Sequence, residues 1–286
     1  MSRPLTGIAL SCCLWALVLG SSSTQAQDVG QVTKFVRFQA GNTVAYGVLE
    51  GDAIHQLAGD LFDGWRKTNK THNVGDVKLL VPTRPTQVIA MAGNYKSHLD
   101  GGTVSPQFQI VQPFFKSPSC LLEHEGAIVL PQDAEDVHFE AEMVIVIGKT
   151  AKNVSPEEAL NHVFGVTCGN DVSARVWQKN DVQWWRAKGS DTFGPCGPVI
   201  AAGLDYDNLM MELRVNGEVK QKESTSQLLH GVAGIVSGIS QSVTLHPGDL
   251  IFTGTPGKTS ALQPGDVVEV EIEGVGVLRN PVVAEE

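Results

Sequence analysis

Between Val137 and Asp171 the chain carries its most restrictive pattern. Val137-His138-Phe139-Glu140-Ala141-Glu142 runs without a break into Met143-Val144-Ile145-Val146-Ile147. An apolar run this rich in β-branched residues predicts a strand buried on both faces. Side chains alternate along a strand, so Glu140 and Glu142 project from the same face and repel each other unless a positive charge lies between them. A third carboxylate, Asp171, stands in Cys168-Gly169-Asn170-Asp171-Val172-Ser173-Ala174-Arg175. The intervening sequence predicts a helix, with Ser155 as N-cap, Pro156 in the first turn and Glu158 closing a capping box. Strand, helix, strand is an order that returns Asp171 to the glutamate pair. Three carboxylates with no accompanying run of His or Cys suit a hard divalent cation, Mg²⁺ or Mn²⁺, with positions left for water or substrate. Paired glutamates on a strand also describe an ordinary solvated face. The buried run directly behind them favours ligands, because carboxylates at the mouth of a buried strand need a partner.

Composition narrows the partners. A formal charge of −10 with no basic block argues against nucleic acid or an anionic membrane surface, and 42% hydrophobic residues suffice for a large core. At the N-terminus Arg3 precedes an apolar run from Leu5 to Gly20, followed by Ser21-Ser22-Ser23-Thr24-Gln25-Ala26. This pattern predicts a signal peptide over residues 1–26, cleaved after Ala26, and hence an exported, periplasmic or secreted protein with no membrane association after cleavage. An uncleaved anchor and a buried helix are the alternatives. Cys120, Cys168 and Cys196 would remain, an odd number that suits small core residues better than a disulfide framework.

Residues 27–82 alternate short strand-like pieces with turns, such as Ala45-Tyr46-Gly47-Val48-Leu49 before Glu50-Gly51-Asp52, and predict a small β module. Pro82-Thr83-Arg84-Pro85 marks a boundary, and residues 85–284 form the main domain. Its first strand, Gln87-Val88-Ile89-Ala90-Met91-Ala92, ends in Gly93-Asn94-Tyr95-Lys96-Ser97-His98. Leu99 to Gln112 reads as a loop, either a lid or a surface connection. Lys116, in Pro113-Phe114-Phe115-Lys116, could meet a substrate carboxylate. Trp184-Trp185 reads as packing. Asn216-Gly217 predicts a hairpin turn and Thr225 to Ser240 a helix. Gly254-Thr255-Pro256-Gly257-Lys258-Thr259 imitates a phosphate loop, but Phe252 occupies the place of the first glycine and Pro256 interrupts the turn. Strands outnumber helices, so the fold class is mainly β, α+β in its helical insertions.

Three separated stretches resemble the fumarylacetoacetate hydrolase family: His138 to Lys149, Gly169 to Arg175, and Lys188-Gly189-Ser190-Asp191-Thr192-Phe193-Gly194-Pro195. The resemblance extends over roughly residues 85 to 282. It implies a mixed β-sandwich roll as the catalytic domain, a homodimer, and Glu140, Glu142 and Asp171 as ligands of Mg²⁺ or Mn²⁺. It also implies His98 and Lys188 as catalytic residues and Tyr95, Arg175, Gln178 and Thr255 as substrate contacts. Thr192 would support the metal and its bound oxygen. The implied activity is hydrolysis of a carbon–carbon bond in a small 2-oxo or β-diketo acid. There the cation would chelate the substrate's carboxylate and keto oxygens, His98 would activate water, and Lys188 would stabilise the leaving enolate. Family hydrolases commonly carry Glu three residues after this histidine, whereas this chain has Gly101 there and Asp100 one residue closer. Decarboxylase, lyase or keto–enol isomerase chemistry at the same site, and an exported carboxylate- or metal-binding protein without catalysis, are therefore the alternatives.

Overall fold

The computed structural model describes residues 1, 32–99 and 103–286. The segment read as a signal peptide lies outside these residues, as do Asp100 and Gly101. Among the described residues no helix is long and apolar enough to cross a membrane.

The principal strands are β1 (Thr33–Ala40), β2 (Thr43–Glu50), β3 (Ala53–Ala58), β4 (Arg66–Asn73), β5 (Val88–Met91), β6 (Pro113–Lys116), β7 (Ala141–Ile147), β8 (Val163–Asn170), β9 (Gly194–Ala202), β10 (Met210–Val215), β11 (Glu218–Ser224), β12 (Leu250–Phe252), β13 (Val267–Ile272) and β14 (Gly276–Ala284). The α-helices are α1 (Pro156–Ala159), α2 (Arg175–Asn180), α3 (Trp185–Gly189) and α4 (Val232–Ser242). The large sheet runs β4-β3-β2-β1-β9-β8-β7-β12-β5-β6, and a second sheet runs β11-β10-β13-β14 and ends on Ile128–Leu130. The fold is mainly β, as expected.

The N-terminal strands do not form a free-standing module. β1 pairs antiparallel with β9, Phe35 opposite Ile200, so the hairpins extend the sheet that carries the site. Their apolar residues explain the merger: Phe35 and Val48 pack in one cluster with Val144, Val146, Ile200 and Phe252. β7 lies at the centre of the sheet and is buried along its whole length. Met143, Ile145 and Ile147 face one core, while Val144 and Val146 face the other, which accounts for the unbroken apolar run. The same alternation puts Cys168 and Cys196 in different cores, and both thiols are free and buried.

Two predicted helices are shorter than expected. α1 is a single turn continued by a 3₁₀ turn, Leu160–His162, and Ser155 makes no side-chain cap bond. The helix expected from Thr225 divides into a 3₁₀ turn, Thr225–Gln227, and α4. Asn94 accounts for the break. Its carbonyl oxygen accepts from Leu229 N–H at 2.8 Å and its side-chain oxygen accepts from His230 N–H at 2.9 Å, so neither donor is free for helix. The Asn216-Gly217 turn forms as expected between β10 and β11, both residues at positive φ.

Candidate metal centre and active site

The start of β7 and the end of β8 face each other in antiparallel register, Ala141 opposite Asn170 and Glu142 opposite Gly169. Asn170 Oδ1 accepts from Glu140 N–H at 2.8 Å, and the Asp171 N–H donates to the Glu140 carbonyl at 2.9 Å. This lock brings Glu140, Glu142 and Asp171 together, each with a ligand oxygen within 4.8 Å of the others and each buried. The triad expected from the sequence is thus assembled by strand pairing. An all-oxygen set of three buried carboxylates fits a hard divalent cation and leaves positions for water or substrate.

Three cations surround the triad. Lys188 Nζ lies 2.7 Å from both Glu140 Oε2 and Asp171 Oδ2, Arg175 Nη2 lies 2.6 Å from Glu140 Oε1, and Lys116 Nζ lies 2.6 Å from Asp171 Oδ1. Burial alone would raise the Glu140 carboxyl, but Lys188 and Arg175 overcome it and hold the group down at about 2. Glu142 has a different environment. Burial, then the charges of Asp171 and Glu140, push its carboxyl well above the ordinary range, and Lys188 with the Gly254 N–H, which donates to Oε2 at 2.7 Å, only partly offset this. One of the three carboxylates therefore holds a proton more tightly than an exposed glutamate does, and a cation must displace it.

The proton gives a pH prediction. The unfolded chain releases it in the ordinary glutamate range, so the metal-free protein loses stability as pH rises from there through the raised Glu142 value. A bound cation substitutes for the proton. Metal affinity should rise with pH over the same window, with up to about one proton released per ion from this group. Calorimetric titration in buffers of different ionisation enthalpy measures the release; a pH-independent affinity with no release would remove Glu142 from the ligand set.

Lys116 departs from its expected role. Its ammonium is enclosed and donates to Asp171 and to the carbonyls of Lys188 and Phe193. Burial would lower its pKa, but Asp171 more than compensates and the net shift is upward. All three protons are committed, so Lys116 has none for a substrate carboxylate and instead holds Asp171. Lys188 makes two bonds, to Glu140 and Asp171, and keeps one donor among the described residues. Thr192, expected to support the metal, accepts from the Val129 N–H at 2.9 Å through its hydroxyl. Of the tryptophan pair, Trp184 packs edge-on against Phe114 and Trp185 is exposed.

His98 ends the turn after β5. Its Nδ1 donates to the Gly257 carbonyl at 2.7 Å, so in the neutral ring Nε2 is the free acceptor. Among the described residues no carboxylate bonds to His98. Tyr95 is fully buried and its hydroxyl has no partner there; burial, then Glu223 and Glu142, raise its pKa. Arg175 Nη1 donates to Gln178 Oε1 at 2.8 Å. Thr255 Oγ1 accepts from Gln221 Nε2 at 2.9 Å, and Gln221 Oε1 accepts from the Ala141 N–H at 2.9 Å. Gln221 thus ties β7 to the loop after β12, a role that sequence reading missed. Its partners lie 80 and 34 positions away, and no local pattern marks it.

The chain belongs to the fumarylacetoacetate hydrolase family: residues 87–283 match the family described as "Fumarylacetoacetate (FAA) hydrolase C-terminal", and residues 33–82 match "Rv2993c-like, N-terminal". Among its relatives is the mitochondrial oxaloacetate tautomerase fahd2 of Xenopus laevis, 38% identical over 222 residues, or 73% of this chain and 69% of that protein. A 2-hydroxyhepta-2,4-diene-1,7-dioate isomerase from Mycobacterium marinum superposes with a TM-score of 0.82 at 38% identity, covering 88% of this chain and 99% of the other. Maleylpyruvate hydrolase from Sphingobium sp. SYK-6, in complex with manganese(II) and pyruvate, superposes with a TM-score of 0.73 at 28% identity, covering 88% and 100%. Family and site together support an enzyme that processes 2-oxo acids at a metal centre.

Proposed function

We propose that the protein is a Mg²⁺- or Mn²⁺-dependent enzyme that moves a proton between carbon and oxygen of a small 2-oxo acid, a keto–enol tautomerase or isomerase. The observation that carries this reading is the setting of His98, whose partner among the described residues is a backbone carbonyl. A histidine paired with a carboxylate is well suited to charging itself while it activates water; one oriented by a neutral carbonyl suits transfer of a substrate's own acidic proton. Glu140, Glu142 and Asp171 would hold the cation, which supplies Lewis acidity toward the keto and carboxylate oxygens of the substrate. Nε2 of His98 takes the proton from the carbon next to the keto group and delivers it to the enolate oxygen, and in the reverse direction carries it from the enol oxygen back to that carbon. The spare donor of Lys188 faces the negative charge that develops on oxygen. Arg175, with Gln178, Thr255 and the unpartnered Tyr95 hydroxyl, binds the carboxylate end.

The similarity to a tautomerase and an isomerase, each at 38% identity, supports the same reading. Hydrolysis of a carbon–carbon bond is the second reading, favoured by the likeness to maleylpyruvate hydrolase; there His98 would deprotonate water instead. Two assays on one preparation separate them. Enol decay of oxaloacetate, followed by ultraviolet absorbance, should accelerate with added Mg²⁺ or Mn²⁺ and return to the spontaneous rate with chelator. Pyruvate release from acetylpyruvate, without effect on the oxaloacetate enol, would replace the first reading by the second.

A further inference from the structure

The loop that imitates a phosphate site has another task. It touches the active site at three points: Gly254 N–H on Glu142, Gly257 carbonyl on His98, and Thr259 Oγ1 against Arg175. The third contact begins a chain. Thr259 Oγ1 accepts from Arg175 Nη2 at 2.9 Å, so its own proton is directed to His138 Nδ1, 2.8 Å away. The proton of that ring then lies on Nε2, which donates to Asp136 Oδ1 at 2.8 Å. Every donor points the same way, from guanidinium to carboxylate, an arrangement in which each bond polarises the next. The Asp136 carbonyl closes the ring by accepting from the Arg175 N–H at 3.0 Å. Asp136 adopts φ +55° to make both contacts, a conformation uncommon outside glycine.

The backbone around this chain is also held by pairings of its own. Val137–His138 pairs with Ser173–Ala174 through the backbone, and the Leu262 N–H donates to the Val137 carbonyl at 2.8 Å. What the chain fixes is the guanidinium. Glu140 and Gln178 hold two of its corners, and a third contact on Nη2 sets the plane in which its remaining donors point. We propose that Thr259, His138 and Asp136 are positioning residues that aim Arg175 at the carboxylate of the substrate. The proposal rests on the reading of the site as one for 2-oxo acids with Arg175 as a carboxylate contact.

Thr259→Val keeps the side-chain shape and removes both bonds, whereas Thr259→Ser keeps the hydroxyl. The measurements are kcat and KM for the substrate and, independently of turnover, the calorimetric Kd of oxalate, an unreactive mimic of a 2-oxo acid, with Mn²⁺ present. Thr259→Val should raise KM and the oxalate Kd about tenfold, the order expected for a lost charge-assisted hydrogen bond, with kcat much less affected. Thr259→Ser should restore both. His138→Leu should give the same loss, and the double variant no more than either alone, since one chain is broken in each. An unchanged oxalate Kd in Thr259→Val, no rescue by serine, or additive losses would each overturn the proposal. Wild-type protein that neither binds oxalate nor turns over a 2-oxo acid would overturn the site reading itself, and this proposal with it.

Discussion

Replacing Glu142 with Ala should abolish metal-dependent turnover while leaving the metal-free protein at least as stable as the wild type. The two halves of this result have one cause. Glu142 lies buried beside Asp171 and Glu140, and burial, then those two charges, push its carboxyl up, with Lys188 and the Gly254 N–H offsetting only part of the rise. Removing it ends the cost of burying a third carboxyl beside Asp171 and Glu140, which outweighs the lost packing and the Gly254 hydrogen bond. In the loaded enzyme it is a ligand, and its loss forfeits several kcal/mol of charge stabilisation, roughly a thousandfold or more in rate. Thermal unfolding separates the halves. Wild-type protein should gain about 2.7 kcal/mol when the cation is at a hundred times its Kd, and Glu142→Ala should gain almost nothing. A variant that still responds to metal, or that unfolds early in chelator, would contradict the assignment.

Lys116→Met should be strongly destabilising, by about 3 kcal/mol or more in chelator. Methionine is unbranched and one atom shorter, and its thioether suits the Phe252 ring over which the ammonium lies. It leaves Asp171 with one cation in place of two and strips the carbonyls of Lys188 and Phe193 of their donor. A cation bound by Asp171 takes over part of the compensation, so the deficit in urea unfolding should shrink when metal is added. A substrate contact would behave otherwise: stability would be unchanged and KM alone would rise. That pattern would restore the role expected from the sequence.

Lys116 illustrates which parts of the site the sequence could convey. Glu140 and Glu142 were legible because a period of two placed them on one face and the apolar run behind them required compensation. Asp171 was legible because the order strand, helix, strand returns the chain to its start, although the helix proved to be one turn. A single lysine at the end of a short strand carries no such signal; its role follows from the three acceptors that the end of β8, α3 and the start of β9 converge on one point. Gln221, Thr259 and Asp136 act through contacts that no local pattern encodes. The N-terminal hairpins were recognised as strands, but their pairing with β9 depends on a core assembled from both ends of the chain. His98 was found through its motif, and only the structure gave it the Gly257 carbonyl as partner.

The proposed chemistry requires a divalent cation in the buried triad that a 2-oxo acid reaches directly. Electron paramagnetic resonance of Mn²⁺ titrated into chelator-stripped protein, with and without oxalate, tests it in one experiment. The expected result is one tightly held ion per chain whose spectrum changes when oxalate is added, with both signals lost in Glu142→Ala. Bound Mn²⁺ whose spectrum ignores oxalate, or that persists in the variant, would contradict the account.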